Sequence, residues 1–283
     1  MKKTAIAILI AVLVVVIGGT LLFAGLSAVH FKIRDLDTTQ YVTNTHQVGE
    51  NFTRVEMDLD TAGVSIQPAE DGTCRVVCVE REKYPHTVTV ENGTLIVRSA
   101  KNQKWNYSLV SINIKSPSVT VYLPAADYAS LKVAADTGAV NLVAGVSFGT
   151  VDVDADTGAV KVDGVTVEKL RINADTGWIA IANMTPETVE LDADTGSIRV
   201  TDVVCSGDMR IEADTGSIRL EDVDAANLYL KAATGSISGT IRTPKTFVAK
   251  ASTGSVKVPS TTGKGRCEAY ASTGSIKLSI TGE

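Results

Sequence analysis

The tripeptide Asp-Thr-Gly occurs five times, beginning at Asp136, Asp156, Asp175, Asp194 and Asp214. In aspartic proteases the same tripeptide marks the catalytic corner, where two carboxylates meet and share one proton because neighbouring like charges cannot both ionise. Here the copies recur at the interval of a repeat, and Ala233, Ser252 and Ser272 replace the aspartate in later copies. A catalytic pair needs two copies facing each other, whereas a repeat lays its copies side by side. The expected role is a turn-capping side chain that accepts backbone N–H groups. Carboxylates stacked ~4.8 Å apart repel by ~0.9 kcal/mol per pair in bulk water. The column Asp156, Asp175, Asp194 and Asp214 is therefore also a place to look for weakly held calcium, although the paired-glycine calcium repeat of some β-helices is absent.

Other reactive side chains are sparse. His30, His46 and His86 all precede the regular repeat, so no imidazole base stands on it. Acidic residues are scattered over outward positions, and nothing interrupts the repeat to build a pocket. Cys74 and Cys78 lie in one strand, ~13 Å end to end, beyond the ~7 Å between α-carbons that a disulfide tolerates. With Cys205 and Cys267 they are expected to be small buried fillers rather than redox or zinc ligands. The expectation is a chain with no catalytic residue, no cofactor and no metal. Trp178 is the exception to the small residues at its column, and with Tyr229 and Tyr270 on outward columns it could contact glycan or protein.

These residues are positioned by a repeat. Thr-Gly recurs with its glycine at Gly138, Gly158, Gly177, Gly196, Gly216, Gly235, Gly254 and Gly274, at intervals of 20, 19, 19, 20, 19, 19 and 20 residues. Seven residues before the glycine stand Leu131, Val151, Leu170, Val189, Met209, Leu228, Phe247 and Cys267; three before it every copy has alanine, from Ala135 to Ala271. Two after it come Val140, Val160, Ile179, Ile198, Ile218, Ile237, Val256 and Ile276. Polar residues alternate with these, which is the period of two expected on both sides of a tight corner. One copy cannot bury its apolar face alone, but stacked copies turn each column into a continuous ladder with rungs ~4.8 Å apart. The fold class is therefore all-β: a parallel β-solenoid of 19–20-residue rungs over 131–283, with Gly196→Ala expected to cost at least ~1 kcal/mol if the corner is left-handed.

Residues 48–130 are less regular and read as an N-terminal cap with irregular first rungs. Val55–Ile66 looks like a divergent rung turning at Gly63, Asn92-Gly93 is a strong hairpin signal, and Val119–Leu123 is a strand ending at Pro124. Residues 30–47 read as a juxtamembrane linker. Before them, Thr4–Val29 carries no charge, enough apolar length to cross a ~30 Å hydrocarbon core and longer than a cleaved signal's usual ~7–15 residues. Residues 1–29 are expected to be a cytoplasmic tip and transmembrane helix, Lys2 and Lys3 holding the N-terminus inside. The rest would then lie outside the cytoplasm as a single-pass cell-membrane protein. With 44% hydrophobic but only 5% aromatic residues and 23 glycines, the composition suits β-structure with many turns, and a net charge of −5 without clustered Lys and Arg speaks against nucleic acid.

The Thr195-Gly196-Ser197-Ile198 core, the stretch Val121-Tyr122-Leu123-Pro124 and the leading apolar segment resemble a bacterial family of β-strand-repeat proteins known as "putative adhesin". The resemblance covers roughly residues 50–283. It implies a β-helix-like fold and a cell-envelope location, typically in Gram-positive bacteria, and says little about a ligand. The functional expectation is a non-enzymatic surface module, an adhesin-like binder or scaffold held at the membrane, with cell-wall polymer or another envelope protein as partner. A sensor or regulator of an envelope-stress pathway is the alternative, and a polysaccharide-active enzyme a more distant one.

Overall fold

The computed structural model describes residues 40–100 and 116–281, which form 23 strands and, among the described residues, no helix. No helix of these residues is long and apolar enough to cross a membrane, and the expected anchor, Thr4–Val29, lies outside them. The chain opens with β1 (Tyr41–Val48), β2 (Arg54–Leu59), β3 (Gly63–Pro68), β4 (Cys74–Arg81), β5 (Thr87–Glu91), β6 (Thr94–Arg98) and β7 (Ser118–Leu123). From there each Thr-Gly copy contributes one strand before its corner and one after. The pairs are β8 (Asp127–Thr137) with β9 (Val140–Leu142), β10 (Ser147–Thr157) with β11 (Val160–Asp163), and β12 (Thr166–Thr176) with β13 (Ile179–Met184). They continue with β14 (Thr188–Thr195) and β15 (Ile198–Val203), β16 (Asp208–Thr215) and β17 (Ile218–Val223), and β18 (Asn227–Thr234) and β19 (Ile237–Ile241). The last are β20 (Thr246–Thr253) with β21 (Val256–Lys257) and β22 (Arg266–Thr273) with β23 (Ile276–Ile280).

Strands before the corners form one sheet of 11 and strands after them one of 12. Within the repeat all pairing is parallel, with the columns in register: Ala135, Ala155, Ala174, Ala193, Ala213 and Ala232 are successive partners. These alanines are at most 3% exposed and face the interior, as do the aliphatic columns on either side of the corner. Burial of each Val, Leu or Ile contributes roughly 1.5–3 kcal/mol, and the period of two directs all of them into one shared core.

Three details depart from the sequence reading. First, β1 begins at Tyr41, inside the expected linker, and pairs antiparallel with β4. The polar inward residues Asn44 and His46 hide its alternation. Second, the corner of the first rung falls at Ala62 rather than Gly63, because Val64 pairs with Val140 and a Cβ on Gly138 would meet the Ala62 carbonyl. On the outer side of that rung stands the cap rather than another Thr-Gly corner, so a methyl is tolerated. Third, the rungs do not stack in chain order to the end. β22 and β23 lie directly against β18 and β19, and β20 and β21 are displaced outward to the sheet edges.

The connectors explain that exchange. Residues 258–265 form an eight-residue return between β21 and β22, against two to four residues between earlier rungs. On the outgoing path, the buried Lys245 donates to the Ala225 carbonyl at 2.6 Å and pairs with Asp224 at 2.8 Å, anchoring the chain as it skips a slot. The two connectors then cross in contact: a Cβ on Gly263 would stand 1.8 Å from the Pro244 carbonyl oxygen.

At the other end, β1, β4 and β7 run antiparallel as a cap on one sheet, and the β5–β6 hairpin closes the other. Asn92 and Gly93 both have positive φ, 50° and 71°, as the Asn-Gly turn signal requires.

Candidate functional site

The corner aspartates do not meet. Parallel stacking places one carboxylate per rung on an exposed edge, so the shared-proton chemistry of a protease corner has no geometry here. Nor do they cap the turns: among the described residues none of these carboxylates accepts a backbone N–H. The corner N–H groups are taken by neighbouring rungs, as Gly177 N to Thr195 O at 2.9 Å and Gly196 N to Thr215 O at 2.8 Å. The serines after the glycines form the side-chain ladder instead, with Ser217 N and Ser236 N donating to the hydroxyls of Ser197 and Ser217. Partial burial, with Asp156, Asp60 and Asp58 nearby, pushes the Asp136 carboxyl above its ordinary pKa. That repulsion weakens the folded state at neutral pH and is relieved as pH falls through the raised value. The calcium expectation gains no support, since the column brings no three carboxylates together among the described residues.

The two outer faces differ in electrostatics. On the 11-stranded sheet the column Lys132, Asp152, Arg171, Glu190 and Arg210 alternates in sign, each residue directly opposite the next. Beside it Glu212 pairs with Arg210 and, at 2.8 Å, with Lys231. Tyr229 and Tyr270 lie on this face, rings 6.0 Å apart, with the Arg210 guanidinium 4.3 Å above Tyr229. The two rings pack against each other on β18 and β22, whereas Trp178 stands at a Thr-Gly corner several rungs away.

The 12-stranded sheet carries an unbalanced column. Lys161, Ala180, Arg199, Arg219, Ser238, Lys277 and Lys257 follow one another across it in register. Arg199 stands directly opposite Arg219 and Lys277 opposite Lys257, arrangements that cost stability because like charges face each other. Among the described residues these four take part in no ion pair; the carboxylates nearest in sequence to the two arginines are Asp202 on β15 and Glu221 and Asp222 on β17, and Asp202 and Asp222 pair with Arg242 instead. Trp178 stands at the corner of the same sheet, 49% exposed, between Ala159 and Ser197 of the adjoining rungs. The separate columns were visible in the sequence, but which rungs adjoin was not.

The densest polar cluster lies under the cap. Cys78 and Glu80 are two apart on β4 and point inward, 0% and 1% exposed. A tight turn, Tyr84 N donating to Arg81 O at 2.9 Å, sends the chain back so that His86 lies over Glu80. Glu80 Oε2 accepts from the His86 backbone N–H at 2.6 Å and contacts His86 Nδ1 at 2.5 Å, while Asn44 Nδ2 donates to Oε1 at 2.5 Å. Sequence reading missed this cluster. The i, i+2 spacing of Cys78 and Glu80 was the available signal, but nothing local announces that His86 folds back.

All four cysteines are free and buried, as expected. Burial pushes the Cys74 and Cys205 thiols up to about 11 and those of Cys78 and Cys267 up to about 12. Because the thiolate is the nucleophile, the native protein should resist alkylation by iodoacetamide at pH 8 and react at all four sites only when unfolded, as mass spectrometry would show.

A two-sheet parallel solenoid with a hairpin cap and charged outer faces is a repeat protein. The chain belongs to the Toastrack DUF4097 family, which matches residues 52–283. A "putative adhesin" from Bacteroides fragilis has 15% identity and a TM-score of 0.56, over 85% of this chain and 97% of that one. Another "putative adhesin", from Parabacteroides distasonis, has 14% identity and a TM-score of 0.48, over 85% and 98%. At 15% identity the likeness to the Bacteroides fragilis protein speaks for the fold alone. No curated protein matches the chain.

Proposed function

We propose that this chain is a non-enzymatic binding module of the cell envelope, held at the membrane by Thr4–Val29 with its solenoid outside the cytoplasm. Its binding face is the outer surface of the 12-stranded sheet, and its partner an extended anionic wall polymer. The observation that carries the reading is the unbalanced cation column. Five cations, of which Lys161 is paired with Asp163 and the other four are in no ion pair among the described residues, spread over six rung steps and span about 29 Å at ~4.8 Å per step. The opposite face neutralises its charges by alternation, whereas this one keeps like charges opposed and unpaired. Such a ladder suits a linear polymer of repeated anionic groups, which guanidinium groups hold by paired hydrogen bonds. Trp178 at the corner adds an apolar platform on which a sugar ring can stack. The reading agrees with the description given to the Bacteroides fragilis protein of the same fold.

The full-length protein in detergent should bind purified anionic wall polymer with an affinity that falls steeply as salt rises. The double variant Arg199→Glu/Arg219→Glu is expected to weaken binding at least tenfold, about 1.4 kcal/mol, with its melting temperature close to wild type, since one like-charged pair replaces another. Trp178→Ala should weaken it by a few fold. Salt-independent binding that survives the double reversal would overturn the assignment of face and partner together.

A further inference from the structure

We propose that Cys78, Glu80 and His86 form a binding site for one zinc-like divalent cation beneath the N-terminal cap. Donor atoms of the three residues lie within 4.8 Å of one another, and among the described residues they are the only such group of three. A thiolate, an imidazole and a carboxylate are the ligand types of Zn²⁺, while the sulfur is ill suited to calcium or magnesium. The charges also fit. Thiolate and carboxylate together cancel a divalent cation, so the occupied site would be neutral in an interior where a net charge is costly.

The surroundings favour an ordered site. Cys78 and Glu80 share one inward face of β4, a strand held on both sides by β1 and β7, so the pleat fixes their spacing. The hydrogen bonds to Glu80 from Asn44 Nδ2 and the His86 N–H are of the kind that orients a ligating carboxylate from behind. Asn44 stands opposite Cys78 in register. One pleat along the same face of β1 is His46, whose Nε2 is buried and has no hydrogen-bond partner. That leaves a further unspent donor on this face. When the cation enters, the Cys78 S–H proton leaves to solvent and the proton held between Glu80 Oε2 and His86 Nδ1 leaves that contact, to His86 Nε2 or to solvent, so that the carboxylate oxygen and the ring nitrogen are both free to bond the metal. No oxidant or co-reactant is required.

The site is independent of the polymer-binding reading, and so is its test. Full-length protein stripped with a chelator and reloaded with Zn²⁺ should hold about one zinc per chain by elemental analysis and melt at higher temperature than the stripped form. Reloading with Co²⁺ should give a thiolate-to-cobalt charge-transfer band in the near ultraviolet. Cys78→Ala should abolish the band and weaken zinc binding by more than ~100-fold, since losing even an outer-shell partner costs ~10–100-fold. Cys267→Ala, remote from the cap, should leave both intact. Cys78→Ser keeps the shape of the site should the alanine variant fold poorly, and is expected to lose the band equally. A folded wild-type protein that takes up no stoichiometric zinc and shows no cobalt–thiolate band would overturn the site, leaving a hydrogen-bonded Glu–His pair only.

Discussion

Replacing Gly196 by alanine should destabilise the protein by about 3–5 kcal/mol, far more than the ~1 kcal/mol that loss of glycine's freedom alone suggests. Gly196 has φ of +154°, and a Cβ there would stand 1.6 Å from the Gly177 carbonyl oxygen and 2.5 Å from its carbon. The obstructing atoms are backbone, held in the ladder that joins successive rungs, so they cannot swing aside as a side-chain end could. Forcing a non-glycine residue into this conformation costs roughly 1–3 kcal/mol, and overpacking a fitted interior roughly another 1–3 kcal/mol. At roughly 2–4 °C per kcal/mol for a body of this size, the melting midpoint should fall by roughly 10 °C. Gly49→Ala is the control. No atom lies within 4 Å of its added methyl, and its stability should stay within about 0.5 kcal/mol of wild type. If Gly196→Ala melted with the wild type, the corners could not be stacked as described.

That contrast shows what the sequence could and could not convey. An alanine in every copy three residues before the glycine is readable as a narrow interior column, because side-chain volume is written in the residue type. The same holds for the Asn92-Gly93 turn, whose backbone demands are local. The clash at Gly196 involves a carbonyl one rung away, so its size depends on a stacking distance that no single copy encodes. The Cys78–Glu80–His86 cluster was hidden in a similar way, since His86 arrives by a reversal at Arg81–Tyr84 rather than by strand periodicity. The members of the cation column were readable from the repeat, but their order along it was not. With β22 between β18 and β20, Lys277 follows Ser238 and Lys257 comes last. Look-alike copies specify that they stack and leave their order open. The order was set instead by connectors, through the long return after Lys257 and the buried Lys245.

The exchanged order makes truncation at the C-terminus unusually damaging. β20 pairs only with β22, and β21 only with β23. Ending the chain after Lys264 therefore removes the sole neighbours of the preceding rung, and residues 246–264 should unfold although they remain in the chain. Two rungs are lost for one deleted. Limited proteolysis should cut within 246–264, and amide exchange there should lose its protection while β18 and β19 keep theirs. Deleting Thr246–Lys264 is the complementary change. It removes the outermost rung, leaves the five residues Arg242, Thr243, Pro244, Lys245 and Gly265 to join β19 to β22, and lets β22 and β23 keep their places. This shorter protein should stay folded and resist protease, since repeat bodies lose stability rung by rung. A stack in chain order demands the reverse, a benign truncation and a damaging internal deletion. If the truncated chain kept 246–257 protected, the rungs would have to follow one another as they do in the sequence. Lys277 and Lys257 would then change places in the cation column but would still adjoin, so its like-charged pairs do not depend on the exchange. Arg199 and Arg219 would remain opposed, so the binding face stands or falls on the middle of the stack rather than on its terminus.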